Sequence, residues 1–158
     1  MNRRQSSIPR QWLVADGRLG EALWRALRRL PRGSGVLILY RELPDRERAR
    51  LIAKLRRTAG TRGLILADEA NGEAARIHDV RELRRAGLAG RPLIFLSPMF
   101  EPRSHPGWAP QPRMRAATLI RLAKAPVIAL GGMDASRFRR VARLGFQGWA
   151  GIDAWIRI

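Results

Sequence analysis

Short apolar runs alternate with longer arginine-rich amphipathic stretches along almost the whole of this chain, and that alternation limits the fold more than any other feature. The runs "QWLVAD" (11–16), "GVLILYREL" (35–43), "GLILADE" (63–69), "RPLIFLSPMF" (91–100), "APVIALGG" (125–132) and "FQGWAGIDAW" (146–155) predict strands. They are apolar on both faces, as strands of a parallel sheet covered by helices are. "AARIH" (74–78) adds a short seventh candidate. Between them the spacing turns helical. In "LGEALWRALRRL", Leu19, Leu23, Ala26, Leu27 and Leu30 share one face with arginines opposite. Asp45, Asp79 and Asp134 stand where N-caps belong, Gly60 and Gly145 where helices stop, and Asp79 and Glu82 have capping-box spacing. Asn71-Gly72 is a turn signal.

Strand and helix in strict alternation predict a parallel α/β fold. The 158 residues carry no low-complexity linker and predict one domain, 1–158. A complete (β/α) barrel takes about 200–250 residues. The chain therefore fits either an open doubly wound sheet or a TIM-barrel-like fold shortened by about one βα unit.

Charge is the unusual part of the composition. Lys+Arg is 31 against Asp+Glu 13, a net +18, and only Lys54 and Lys124 are lysines. Such a field attracts polyanions, so RNA is a possible partner through non-specific charge. The arginines nevertheless spread over the polar faces of nearly every candidate helix, with no basic arm and no aromatic-interleaved RNA motif. Cysteine is absent, which excludes disulfides, thiolate metal sites and a Cys nucleophile. "MNRRQSSIPRQW" leads into no apolar signal core, and no apolar run reaches the roughly 20 residues of a membrane span. The expectation is a cytoplasmic protein without a membrane partner.

In parallel α/β folds ligands meet the carboxyl ends of the strands. That rule selects Asp16, Arg41, Glu42, Asp68, Glu69, His78, Asp79, Ser97, the 101–107 loop, Gly131, Gly132 and Asp153. "IALGGMDAS" (128–136) is the best-defined motif, because paired glycines between strand and helix let the backbone approach and cradle a phosphate. In "SPMFEPRSHPGWAP" (97–110), Arg103 and Ser104 are suited to a phosphate and His105 to proton transfer. Asp68 with Glu69 is a candidate pair for Mg²⁺, which prefers hard carboxylate oxygens. No P-loop, G-x-G-x-x-G or G-x-S-x-G is present.

"IHDVRELRRAGLAGRPLIFLSPMFEPRSHPG" followed by "PVIALGGMDASRFRRVARLGFQGWAGIDAW" resembles the thiamine phosphate synthase family and its relative, the thiazole tautomerase. The likeness is close from Ile77 to Trp155 and weaker but collinear before that. It implies a (β/α)₈-type barrel of thiamine biosynthesis. It also implies an activity that joins an aminopyrimidine pyrophosphate to a thiazole phosphate and releases pyrophosphate held by Mg²⁺.

Carried over residue by residue, the resemblance is incomplete. The family's Gln-x-Arg-x-Lys falls on Leu39, Arg41 and Leu43, so only the arginine remains. Its Asn-Asp falls on Ala67 and Asp68, its Thr-x-Thr-Lys loop on Pro102, Ser104 and His105, and its Gly-Gly on Gly131 and Gly132. Its final Val-Ser phosphate turn falls on Ile152 and Asp153. The strand bearing a second metal-side acid is missing between Ala70 and Ala75. The implied phosphate site is thus Arg41, Ser97, Arg103, Ser104, His105, Gly131, Gly132, Ile152 and Asp153, with Arg41, Ser104 and His105 as catalytic candidates and Asp68 on Mg²⁺. Loss of the glutamine and lysine weakens charge stabilisation at the leaving group, so the expectation is a phosphate-binding protein with reduced or lost catalysis. Isomerase chemistry with His105 or His78 as proton carrier is the alternative, beside a non-catalytic anion-binding role. A barrel short of one unit must close with fewer strands, stay open, or cover its edges with a second copy.

Overall fold

The computed structural model describes residues 7–157; Ile158 and the first part of the basic N-terminal stretch lie outside them. Seven parallel strands form one curled sheet in the order β3-β2-β1-β7-β6-β5-β4, a TIM-barrel-like sheet that stops short of closure. The strands are β1 (Gln11–Ala15), β2 (Gly35–Ile38), β3 (Ile65–Asp68), β4 (Ala75–Ile77), β5 (Ile94–Leu96), β6 (Val127–Leu130) and β7 (Gly148–Gly151). The helices are α1 (Ala22–Arg29), α2 (Asp45–Arg62), α3 (Val80–Leu88), α4 (Arg113–Leu122), α5 (Ala135–Val141) and α6 (Asp153–Ile156). "AARIH" does supply a strand, β4.

Side chains alternate along each strand as a two-residue period demands. Trp12, Val14, Leu37, Ala67, Phe95, Ile128 and Ala150 point to the barrel interior and form one buried cluster. Their neighbours Leu13, Ala15, Val36 and Ile38 pack outward under the helices; Ile94, Leu96, Val127 and Ala129 do the same in the other half. The Trp12 indole fills the interior, edge-on to Phe95 at 5.4 Å, and donates from Nε1 to the Pro9 carbonyl at 2.8 Å. Gly35 sits directly against that ring, and a Cβ there would lie 2.1 Å from an indole carbon.

The sheet fails to close for a reason of chain length. Every other pair of consecutive strands is separated by a helix, but β3 and β4 are joined only by residues 69–74. Parallel neighbours need a crossover of about a dozen residues or more, so these two strands form no ladder and leave a seam. The interior cluster bridges it with Ala67 and Ala74. One side-chain ion pair crosses it, from Glu69 after β3 to Arg76 of β4 at 2.6 Å, and Arg41 after β2 adds a second guanidinium to Glu69 at 2.8 Å.

Several boundaries differ from the sequence expectation. α2 begins after Pro44, with Asp45 inside the helix, and runs past Gly60 to end on left-handed Gly63. That end is set by the Gly63 N–H, which bonds the Ala59 and Gly60 carbonyls. The apolar run at 146–155 ends as a strand at Gly151, and 153–156 is a helical turn whose Trp155 stacks on Trp149 at 5.3 Å.

Asp79 and Asp134 do cap α3 and α5, accepting from the N–H groups of Glu82 and Arg137 at 2.8 Å each. The Glu82 N–H is the main cause holding the Asp79 carboxyl below the usual carboxylate range. A lowered folded value contributes stability above the unfolded pKa, about 4, and loses it as pH falls through the folded value. Asp79→Asn, which caps without titrating, should therefore flatten part of the acid limb when melting temperature is followed against pH. Among the described residues, no helix is long and apolar enough to cross a membrane.

Candidate functional site

A cavity of about 960 Å³ lies at the carboxyl ends of the strands. Each strand end contributes to it: Leu19 lies after β1, Leu39 after β2, Glu69 after β3, His78 after β4, Ser97 after β5, Gly131 and Gly132 after β6, and Ile152 and Asp153 after β7. The long loop supplies Arg103, Ser104, His105 and Trp108. Of the residues singled out for phosphate, all but Arg41 line this one cavity.

The two strongest sequence motifs touch each other here. The N–H groups of Met99 and Phe100 donate to the carbonyls of Leu130 and Gly131 at 2.9 and 3.1 Å. Gly131 and Gly132 have positive φ (96° and 58°), and a Cβ on either would strike the opposite loop, at Pro98 Cα (2.7 Å) and at the Glu101 carbonyl (2.9 Å). Glycine is thus needed both for backbone conformation and for the close approach. Outside the sheet ladder, their N–H groups make no turn or cap hydrogen bond among the described residues. Arg137, on the first turn of α5, lines the cavity and donates to the Gly132 carbonyl.

The loop itself is ordered by its own contacts. Gln111 ties its two ends together: its Nε2 donates to the carbonyls of His78 (2.6 Å) and Ser97 (3.2 Å), and its N–H to that of Pro98 (2.7 Å). The Glu101 carboxylate accepts from the Gly107 N–H at 2.8 Å. His105 stacks obliquely on Trp108 at 4.3 Å, with its Nδ1 2.9 Å from the Ser104 hydroxyl. Arg103 reaches α6, with Nε 3.8 Å from an Asp153 oxygen. The Asp153 carboxylate therefore stays on the cavity wall beside a guanidinium. Arg18 also lines the cavity but is held by Asp16 at 2.5 and 3.0 Å, and this hydrogen bonding raises its already high pKa.

His78 has more order than a loop histidine. Glu82 Oε2 accepts from its backbone N–H and stands 3.0 Å from its Nδ1. The contact orients the ring with Nδ1 toward the carboxylate and leaves Nε2 outside the pair. Sequence spacing had indicated a capping box, but Glu82 reaches one residue further back than such a box does. The His78–Glu82 spacing of four was therefore legible; its use as a pair was not. Trp108, Gln111 and Arg137 were also missed, because only the folded loop and α5 place them at the cavity.

Arg41 and Asp68 are not where the sequence expectation put them. Arg41 is drawn to Glu69 and lines a separate seam pocket of about 340 Å³ with Arg76, Arg85 and Arg91. Asp68 is buried (5% exposed) and accepts from Arg48 Nη2 on both oxygens, at 2.6 and 2.7 Å, and from the Ala70 N–H at 3.1 Å. Arg48 is itself fixed by donating from Nε to the Tyr40 carbonyl at 2.7 Å. Among the described residues no group of three His, Asp or Glu is placed to hold a metal ion. With its oxygens committed to a guanidinium, Asp68 does not fit as a Mg²⁺ ligand.

Comparison with known proteins agrees with this architecture. The family model described as thiamine monophosphate synthase matches residues 74–155, just over half of the chain. Among solved structures, the chain is similar to a thiamine phosphate pyrophosphorylase from Pyrococcus furiosus, at TM-score 0.74 and 17% identity over 96% of this chain and 89% of that one. It is more distantly similar to a FabK mutant from Thermotoga maritima, at TM-score 0.50 and 15% identity over 81% of this chain and 45% of that one. No curated protein sequence matches it. The matched segment spans β4 to α6 and so contains the glycine turn, the long loop and the His78 strand end. The chain belongs to the thiamine monophosphate synthase family.

Proposed function

We propose that this protein binds a small phosphorylated heterocycle of thiamine biosynthesis, the thiazole phosphate, and that its capacity to couple it to the pyrimidine pyrophosphate is reduced or lost. The observation that carries this reading is the apposition of the 97–105 loop and the Gly131–Gly132 turn across one cavity. The glycine N–H groups suit a phosphate, with Arg137 and Arg103 supplying charge in fork geometry. The stacked His105–Trp108 pair gives the rim a flat face for an aromatic ring. Coupling requires stabilisation of a departing pyrophosphate. Leu39 and Leu43 stand where the family glutamine and lysine are implied, and Arg41 is spent on Glu69.

Isothermal titration with thiazole phosphate, beside a coupling assay with both labelled substrates, tests the reading. Saturable binding with little or no product is expected; failure to bind removes the substrate assignment. Asp153 offers a sharper check. Its carboxylate is half-exposed on the cavity wall, so Asp153→Asn should tighten inorganic phosphate by about fivefold, roughly 1 kcal/mol. An unchanged or weaker affinity would place the phosphate elsewhere. A second reading, isomerisation by proton transfer, is favoured by the Glu82-oriented His78, whose Nε2, outside that pair, is suited to take a proton from a bound ring and return it at a neighbouring atom.

A further inference from the structure

The turn at 68–73 concentrates three acids, Asp68, Glu69 and Glu73, at the seam where the barrel lacks a unit. Every one of them is engaged by a donor of the chain itself. Asp68 holds Arg48 through both oxygens and the Ala70 N–H besides. Glu69 holds Arg76 at 2.6 and 3.2 Å and Arg41 at 2.8 Å. Glu73 Oε2 accepts from the Asp68 N–H at 2.7 Å. Asp68 and Glu69 are both buried, at 5% and 9% exposure, where a lone carboxylate would not be tolerated.

Three guanidinium groups therefore neutralise the two buried acids. A divalent cation entering here would have to strip Asp68 of the Arg48 nitrogen that bridges its two oxygens, or Glu69 of its bidentate Arg76, and then sit beside that displaced positive charge. Arginine keeps its charge at every working pH and matches both carboxylate oxygens at once, so the exchange is unfavourable in charge and in geometry. We propose that Arg41, Arg48 and Arg76 are built-in counter-charges that take the place of a bound metal at this turn, and that the chain holds its phosphorylated ligand without a divalent cation. The second clause rests on the phosphate reading above. The first stands on the ion pairs alone.

Two measurements on the unmodified chain separate those clauses. Mn²⁺ serves as the probe for a Mg²⁺-type site, followed by electron paramagnetic resonance. Addition of the protein should leave the signal of free Mn²⁺ unchanged, and stoichiometric loss of that signal would overturn the proposal. Inorganic phosphate is then titrated calorimetrically in EDTA and in millimolar Mg²⁺, with the same affinity expected in both. Binding abolished by EDTA and restored by Mg²⁺ would also overturn it. If phosphate binds in neither buffer, the ligand reading and the second clause fall together, and the Mn²⁺ result alone decides the first.

Discussion

Replacing Arg48 by alanine should destabilise the protein by roughly 3 kcal/mol, because removing one partner of a buried ion pair leaves the other uncompensated. Asp68 keeps only the Ala70 N–H once the guanidinium is gone, and the Tyr40 carbonyl loses its donor as well. For a chain of this size that loss corresponds to a fall of about 9 °C in melting temperature. The Arg48 side chain is 23% exposed, which keeps the figure near the lower end of the range for fully buried pairs. Arg50, exposed two residues further along α2, is the control, and its alanine variant should stay within about 0.5 kcal/mol of the parent. Chemical denaturation of the two variants side by side tests this. Equal midpoints would mean that the Arg48 pair contributes nothing beyond an ordinary surface contact.

Trp12→Ala should cost more, about 4 kcal/mol, the usual penalty for emptying a large aromatic site in a core. The indole is 1% exposed and occupies the barrel interior against Phe95. Gly35→Ala attacks the same place from the other side, since its Cβ would fall 2.1 Å from the ring. Overpacking of that kind costs about 1–3 kcal/mol. The two changes should not add: in a Trp12→Ala background the Gly35→Ala penalty should largely vanish, because the atom it collides with is gone. A double-mutant cycle measured by urea unfolding checks this, and strict additivity would count against the packing described.

The sheet and its interior were legible because they rest on local pattern. The run from Trp12 to Ala15 announces both its faces, and Asp79 and Asp134 declare the starts of α3 and α5. The shortened barrel was legible too, since the strand expected between Ala70 and Ala75 is absent from the sequence. The end of α2 was missed by three residues because Gly60 and Gly63 are equally good stop signals locally, and only the hydrogen bonds of Gly63 distinguish them.

The ion pairs were not legible for a different reason. Asp68 finds Arg48 twenty residues away, and Glu69 takes Arg41 from the end of another strand. With 31 cationic side chains and 13 acidic ones, sequence offers no means of choosing among partners. The glycine turn and the loop were picked out separately, and their mutual contact came only with the register of β5 against β6, which sets Ile94 beside Val127. The roles of Trp108 and Gln111 depend on how the loop folds back, which proline and glycine content alone does not dictate.

Glu69, Arg76 and Glu82 line both the central cavity and the smaller pocket at the seam. A complete barrel is walled by hydrogen-bonded backbone, which parts only when strands separate. Here one panel of that wall is made of guanidinium and carboxylate groups. Side chains reorient in picoseconds to nanoseconds where they are exposed, whereas collective backbone displacements take microseconds or longer. The flank of this molecule is accordingly fastened by side chains where a closed barrel has a backbone ladder, and its two edges meet through the Arg76–Glu69 pair.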